Sequence, residues 1–399
     1  MPEAAGPEGA PLGLCFAGLH GFARDVTDLA LAEPRVRVVS AGDPAADDPA
    51  GAGRIELLRA AGVDVHACFK AALAVPGVEA AWLPVPISLH RPFGEAALAA
   101  GKALLCEKPL AGCVEDAAAL VHAAAASGLP AAVGFHDLFD PAVLGFKREA
   151  HGPGGIGELE SVTVLASWPR DDAYFGRNGW AGRLRHADAW VRDSPANNAL
   201  AHYLMLGLFF AGDDDLVAAT PVAAAGRLLR AAAIESFDTV SARFALGPGC
   251  VRPGVRLDLH LTHAAEETLQ PQVLLRGRRG RRLWKLEPGD PDFAPADRVA
   301  VSCGGAAVRA RVLPRFVDLC RGVPRPDAPY ATLGAGLAHA HAIEALHAAA
   351  EVEDLPAGCV VDRPTAGGVQ RVVPGLLQAL RKAAAAGRLL DPETLGQAG

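Results

Sequence analysis

From residue 12 to residue 150 the chain alternates short apolar runs with helix-patterned segments, and few architectures accept that alternation. LGLCFA (12–17), RVRVVSAGD (35–43), VEAAWLPVP (78–86), KALLCEK (102–108) and LPAAVGF (129–135) read as strands. Helical patterns lie between them, through Leu31 and over 54–61, 66–75, 91–100 and 112–127, and a last one covers 141–150. Strands of this kind are buried on both faces, so the pattern predicts a mostly parallel, doubly wound sheet with right-handed crossovers. After residue 150 the texture changes. Residues 157–169, 237–248, 254–264 and 271–286 alternate apolar and polar with turn residues between them, which predicts a large open, mostly antiparallel sheet. Apolar helices are expected over 197–212 and 329–351, and a helical pattern returns over 365–387. The fold class is therefore α/β in two domains.

Composition narrows the function class. A net charge of -7 argues against a nucleic-acid binder, and no apolar stretch is long enough to span a bilayer. The basic run RGRRGRR (276–282) lies between strand-like flanks and reads as a solvated hairpin turn. Eight cysteines show no CxxC pair and no zinc spacing, so neither disulfides nor a metal site is expected, and a reducing cytoplasm suits them. MPEAAGPEG lacks the pattern of a secretory signal.

The first strand runs through GLHGFARD into a helix, whose first N–H groups have no intrahelical partner and suit a pyrophosphate. The GxGxxG positions hold Gly18, His20 and Ala23, with Gly21 as a second permissive residue. Gly18, Leu19, His20, Gly21 and Phe22 are expected to form the dinucleotide turn. Asp43 closes the second strand, where an acid accepts from a ribose 2′-hydroxyl, so NAD is favoured over NADP.

Residues 78–111, VEAAWLPVPISLHRPFGEAALAAGKALLCEKPLA, resemble the glucose-fructose oxidoreductase, inositol dehydrogenase and rhizopine-catabolism family, Gfo/Idh/MocA. The resemblance rests on Pro84, Pro86, His90, Gly101-Lys102 and Cys106-Glu107-Lys108-Pro109, with VVSAGDP (38–44) alongside. It implies a Rossmann domain over 12–150 and a substrate-binding and oligomerisation domain over 151–385, some of whose helices return to the first. A disordered lead-in (1–11) and a tail (386–399) complete the expected layout. Pro84, Val85, Pro86, His90, Glu107 and Lys108 are then cofactor contacts, and Lys108 also faces the substrate as the proton-transfer group. The family's DxGxH stretch corresponds to DSPANNALAH (193–202), where His202 matches the histidine while Asn198 and Leu200 stand in the aspartate and glycine positions. His202 would assist or orient, and Asn198 would hold a substrate hydroxyl. YFGRNGWAGR (174–183) resembles a block of one subgroup; it offers Trp180 and Arg183 to the cofactor side and Arg177 and Asn178 to a polyhydroxylated substrate. VGFHDLFDP (133–141) puts His136, Asp137 and Leu138 where relatives carry Asn and Arg, so His136 is a further substrate candidate.

The implied function is NAD-dependent hydride transfer at a secondary alcohol or ketone of a sugar, glycoside or cyclitol. Two alternatives stand beside it: an NAD-retaining enzyme that cleaves or eliminates by transient oxidation, and a non-catalytic sugar- or nucleotide-sensing protein. A homodimer or homotetramer through the second-domain sheet is also expected.

Overall fold

A computed structural model describes residues 9–46, 52–302 and 304–395 of the 399-residue chain. The first sheet contains β1 (Leu12–Ala17), β2 (Val36–Gly42), β3 (Asp64–His66), β4 (Ala80–Leu83), β5 (Ala103–Cys106) and β6 (Ala131–Val133). All pairs are parallel and the order is β3-β2-β1-β4-β5-β6. β1, β4 and β5 are buried along their whole length, as a sheet covered on both faces requires. The accompanying helices are α1 (Phe22–Ala32), α2 (Ala52–Ala60), α3 (Phe69–Leu73), α4 (His90–Ala99), α5 (Val114–Ser127) and α6 (Pro141–His151). Local chemistry sets their ends: left-handed Gly128 stops α5, and Asp140 caps Ala142 N–H ahead of Pro141 in α6.

The second sheet begins with β7 (Leu159–Ser167). After the short α7 (Asp172–Phe175), a two-residue ribbon β8 (Arg185–His186) and β9 (Ala189–Trp190), and α8 (Ala201–Phe210), it continues through β10 (Pro221–Arg230), β11 (Thr239–Leu246), β12 (Arg256–Thr262), β13 (Leu269–Gly277), β14 (Gly280–Lys285) and β15 (Arg298–Val301). Then come α9 (Gly305–Arg309), α10 (Val312–Cys320), α11 (Leu333–Ala349), β16 (Val352–Asp354), the ribbon β17 (Val361–Thr365) and β18 (Gly368–Val372), and α12 (Leu376–Ala386). The order is β15-β14-β13-β7-β12-β11-β10-β16. Four joints are antiparallel and three, β7–β12, β14–β15 and β10–β16, are parallel, so the sheet is mixed. All of α8 is buried against it, and Gly207 permits the approach, since a Cβ there would lie 2.8 Å from Leu257 and 2.9 Å from Val164.

Several expectations need correction. The helical pattern over 365–387 resolves into the end of the β17–β18 ribbon followed by α12. β10 escaped notice because PVAAAGRLLR lacks the β-branched and aromatic residues that mark strands. The 271–286 run needs no correction: it is the β13–β14 hairpin, with Arg278 and Arg279 at its turn. The second face of the large sheet, expected to be free for a partner copy, is covered over β7 by this chain's own C-terminal segment. Leu377, Leu380 and Leu390 share a buried cluster there with Leu165, Leu274 and Leu283, and Leu390 N–H donates to Ser241 Oγ at 2.8 Å. The residues called a tail are thus packed through Leu395. The expected disordered lead-in lies outside the described residues as far as residue 8, while Ala10 O accepts from Arg321 at 2.9 Å.

Close backbone approaches fix the two sheets relative to each other. Val133 N–H donates to Ala331 O at 2.9 Å, and Arg35 pairs with Asp318 at 2.9 Å. Just beyond the Glu107-Lys108-Pro109 turn, a Cβ on Gly112 would stand 1.9 Å from Trp190 O. Gly112→Ala is therefore expected to destabilise the protein by about 1–3 kcal/mol, the usual cost of overpacking. A lowered thermal midpoint with a loosened Lys108 environment would show it, and an unchanged midpoint would mean that the two backbones are free to part.

Candidate active site

A cleft of about 840 Å³ opens where the carboxyl ends of β1, β4 and β5 meet the segment leading into α8. Ligands of doubly wound sheets bind at this end, where the strand order reverses on either side of β1. Lys108 follows β5 directly and is half-buried, with its Nζ donating to Asn198 O at 2.9 Å and Asn198 Oδ1 at 3.2 Å. Burial lowers its pKa to about 8; Glu107 and Asp193 oppose that shift, and Arg309 and Arg177 add to it. Glu107 is itself buried and accepts from Trp82 Nε1 at 3.1 Å, which gives its carboxylate a partner away from the ammonium.

Asn198 does not lie on a helix continuous with His202. Pro195–Ala199 forms a π-turn, closed by Leu200 N–H on Pro195 O at 2.9 Å, and α8 starts only at Ala201. Pro195 begins the turn and Ser194 accepts from Asn197 N–H at its head. The wider turn leaves both Asn198 oxygens facing Lys108. Asp193 orients the amide, accepting from Asn198 Nδ2 at 2.7 Å, and is anchored by Gly182 N–H at 2.6 Å. The acid absent from position 198 is therefore present one step removed.

His202 lines the cleft on the other side, with Nδ1 3.3 Å from Asp137 Oδ2. The edge of Phe135 braces the imidazole at a centroid distance of 5.7 Å. His136 lies against it at 3.9 Å. Burial raises Asp137 to about 7, lowers His136 to about 3, and pushes His202 well below its usual range. Both histidines are thus neutral. Neither Asp137 nor Asp193 was assigned a role from the sequence: Asp137 meets His202 only through the fold, and Asp193 reaches Asn198 five residues on only because the chain turns between them.

The expected nucleotide turn divides. His20, Gly21 and Phe22 face the cleft; Gly18 and Leu19 lie beneath it. Gly18 has φ +86° and Gly21 φ +57°, the left-handed region that glycine enters freely. α1 starts at Phe22 without a side-chain cap; Ala23 N–H and Arg24 N–H turn back to His20 O at 3.2 Å and Gly21 O at 3.0 Å, so it is the Gly21–Phe22 end of the turn, which lines the cleft, that fits an anionic group of a dinucleotide. Asp43 does not line the cleft: Leu19 N–H donates to Oδ2 at 2.7 Å and Ala45 N–H to Oδ1 at 2.8 Å. Each oxygen keeps a further lone pair for a ribose hydroxyl.

Pro84, Val85, Pro86 and Glu107 line the cleft. His90 does not reach it. It is 1% exposed, with Nε2 3.0 Å from Val85 O and Nδ1 2.9 Å from Pro109 O, so it braces the β4 loop against the β5 loop. Arg177, Asn178 and Trp180 line the far wall, where the Arg177 guanidinium lies 3.8 Å from the Tyr174 ring and 5.2 Å from Trp180. Asn178 Oδ1 is taken by Trp180 and Ala181 N–H, leaving its NH₂ to the cleft. Arg183 points elsewhere and pairs with Glu235 at 3.2 Å. Arg309, which the sequence did not single out, lines the cleft instead, reaching from α9 to within 5.1 Å of the Phe22 ring. No local motif marks it; only the fold brings residue 309 beside residue 22. Gln270, paired with Trp168 at 3.0 Å, also lines the cleft.

Residues 23–135 match the family model described as an oxidoreductase family with an NAD-binding Rossmann fold, GFO_IDH_MocA. Over 101 residues the chain is 33% identical to dTDP-3,4-didehydro-2,6-dideoxy-alpha-D-glucose 3-reductase of Streptomyces violaceoruber, a match spanning 25% of this chain and 29% of that reductase. The fold is shared more widely. GenD2 from gentamicin A biosynthesis, in complex with NAD, superposes with a TM-score of 0.62 at 19% identity, over 87% of this chain and 97% of that one. WlbA dehydrogenase from Bordetella pertussis, with NADH and UDP-GlcNAcA, gives 0.64 at 18%, over 84% and 94%. A mutant of KijD10, a 3-ketoreductase from Actinomadura kijaniata, with TDP-benzene and NADP, gives 0.63 at 20%, over 87% and 100%. The EKP turn, the parallel six-stranded sheet and the family-model match fall in the same segment, so residues 23–135 carry the NAD-binding Rossmann fold that the model of this oxidoreductase family describes.

Proposed function

We propose that the protein is an NAD-dependent oxidoreductase that interconverts a secondary alcohol and a ketone on a sugar or cyclitol ring. The observation that carries the reading is the half-buried Lys108 ammonium, held by two oxygens of Asn198 beside the uncapped start of α1. Bound nicotinamide cofactor supplies the hydride acceptor or donor. His20, Gly21 and Phe22 hold its pyrophosphate, and Asp43, an acid that a 2′-phosphate would repel, favours NAD. Lys108 exchanges the proton of the reacting hydroxyl: the neutral amine takes it on oxidation, and the ammonium returns it on reduction. Asn198, fixed by Asp193, aims the amine. His202 is neutral, so it donates or accepts a hydrogen bond rather than contributing charge.

Relatives support the substrate class. The fold neighbours hold UDP-GlcNAcA or TDP-benzene, and the partial relative is a sugar reductase by name. In this chain, Trp180 offers a flat face to the C–H side of a ring, and Arg177, Asn178 and Gln270 offer polar groups to its hydroxyls. Among the described residues no helix is long and apolar enough to cross a membrane, and the seven described cysteines are free, as suits the cytoplasm.

Titration with NAD and NADP separately, read by nucleotide fluorescence or calorimetry, tests the cofactor. Binding of NAD at least about tenfold tighter, a difference of about 1.4 kcal/mol, is expected. Binding of neither would remove the hydride partner and favour the sensing protein.

Lys108→Met should lower kcat by a factor of about 10²–10⁴, the usual worth of a positioned acid–base group, with cofactor affinity changed little. Burial places the lysine pKa near 8, below its ordinary value. Oxidation, which needs the free amine, should therefore rise with pH through about 8, and reduction, which needs the ammonium, should fall. Rate profiles in both directions check the sign. A flat profile, or a Lys108→Met enzyme of full activity, would exclude Lys108 as the proton carrier.

A further inference from the structure

Asp137 is 1% exposed, yet neither of its carboxylate oxygens has a hydrogen-bond partner, and neither does His202 Nδ1 beside it. Burying a carboxylate in that state is costly, and such groups are normally paired or bound to a cation. The near neighbours supply ligands rather than donors. Asp137 Oδ2 lies 3.3 Å from His202 Nδ1 and 3.6 Å from His136 Nε2. Among the described residues, His136, Asp137 and His202 are the group of three whose ligand atoms all fall within 4.8 Å of one another.

These separations have a metric meaning. Bonds of about 2.0–2.1 Å at a tetrahedral ion place neighbouring ligand atoms about 3.4 Å apart. Both distances to Asp137 are close to that edge. Two imidazoles and one carboxylate are also the donor set of open zinc sites, in which three side chains hold the ion and the fourth position is left to water or substrate. The backbone fixes the ligands in advance: His136 and Asp137 are adjacent in one tight turn over His136–Phe139, and Phe135 braces His202. His136 and His202 line the cleft and Asp137 lies behind them, so an ion between the three would turn its open position to the cleft.

We propose that His136, Asp137 and His202 bind one divalent transition-metal ion of the zinc class, with its vacant coordination position facing the cleft. There it would polarise a substrate oxygen as a Lewis acid, which adds to the oxidoreductase reading without being required by it.

The test reads metal alone, with neither cofactor nor substrate present, so its outcome is independent of hydride transfer. The full chain is stripped with a chelator, shown by circular dichroism to remain folded, and titrated with Zn²⁺ by calorimetry. Co²⁺ serves as a spectroscopic substitute. One equivalent of Zn²⁺ per chain is expected, and Co²⁺ should give the intense visible bands of a four-coordinate site. Loss of an outer-shell partner alone costs a metal site 10–100-fold, so His136→Gln and Asp137→Ala should each weaken binding by at least about 100-fold. His136 is half-buried, so its variant reports even if the deeper Asp137→Ala fails to fold. No stoichiometric uptake by the folded wild-type chain would overturn the proposal and leave Asp137 as a hydrogen-bonding neighbour of His202. Uptake unchanged in the folded variants would overturn it equally, by placing the ion elsewhere.

Discussion

An ammonium taken out of water must find oxygen acceptors, and in this protein both direct acceptors of Lys108 belong to the other half of the chain. Residue 108 lies two positions past the end of β5 in the first sheet, and residue 198 sits in the turn that leads into α8 under the second. The two halves must therefore meet in one register. The close approaches around the site serve that end: Gly112 lets the segment after Pro109 lie on the backbone of Trp190, and Gly336 lets α11 seat on Leu110, where a Cβ would stand 2.8 Å away. His90 ties the β4 loop to the β5 loop from below. Each contact limits how far Lys108 can move from Asn198, and the depressed pKa follows from that confinement rather than from any single neighbour.

Much of the first half was legible because its signals are local. The apolar runs give β1, β2, β4, β5 and β6 within a few residues, and the EKP block marks the site by sequence alone. β3 was missed since three residues, DVH, carry no period. The second half was less legible. β10 is rich in alanine and arginine, and its pairing with β11 and β16 depends on tertiary context. The last segment looked like helix followed by tail because Leu377, Leu380 and Leu390 have a helical or irregular pattern, while their burial against β7, β13 and β14 is a property of the assembled sheet.

The site shows the same division. Residues such as Lys108, His202 and Asn178 face the cleft, while others named from the same resemblance stand away from it. His90 fits the family pattern but has both nitrogens on backbone carbonyls, and Arg183 ends a promising block but points to Glu235. Arg309 went unnoticed since no spacing rule connects residue 309 to residue 22, and Asp137 was named without a role because its contact with His202 is made only by the fold. The π-turn is a further case: the helix expected over 197–212 runs straight through Asn198, and only the widened turn explains how an asparagine in the aspartate position offers two oxygens to the lysine.

Two polar clusters border the same cleft in different states of completion. Around Lys108 the donors and acceptors close on themselves, from Gly182 through Asp193 and Asn198 to the ammonium, and Glu107 has its own partner in Trp82. That network needs nothing added to be satisfied, as the proposed role of Lys108 in proton transfer requires. Around His202 the network stays open, with a buried carboxylate and two neutral imidazoles that supply more lone pairs than protons. The cleft's fixed cations, Lys108 and Arg309, act on both histidines through space, and neither bonds to the Asp137 carboxylate. A cation held by that carboxylate and the two imidazoles would therefore complete the open network.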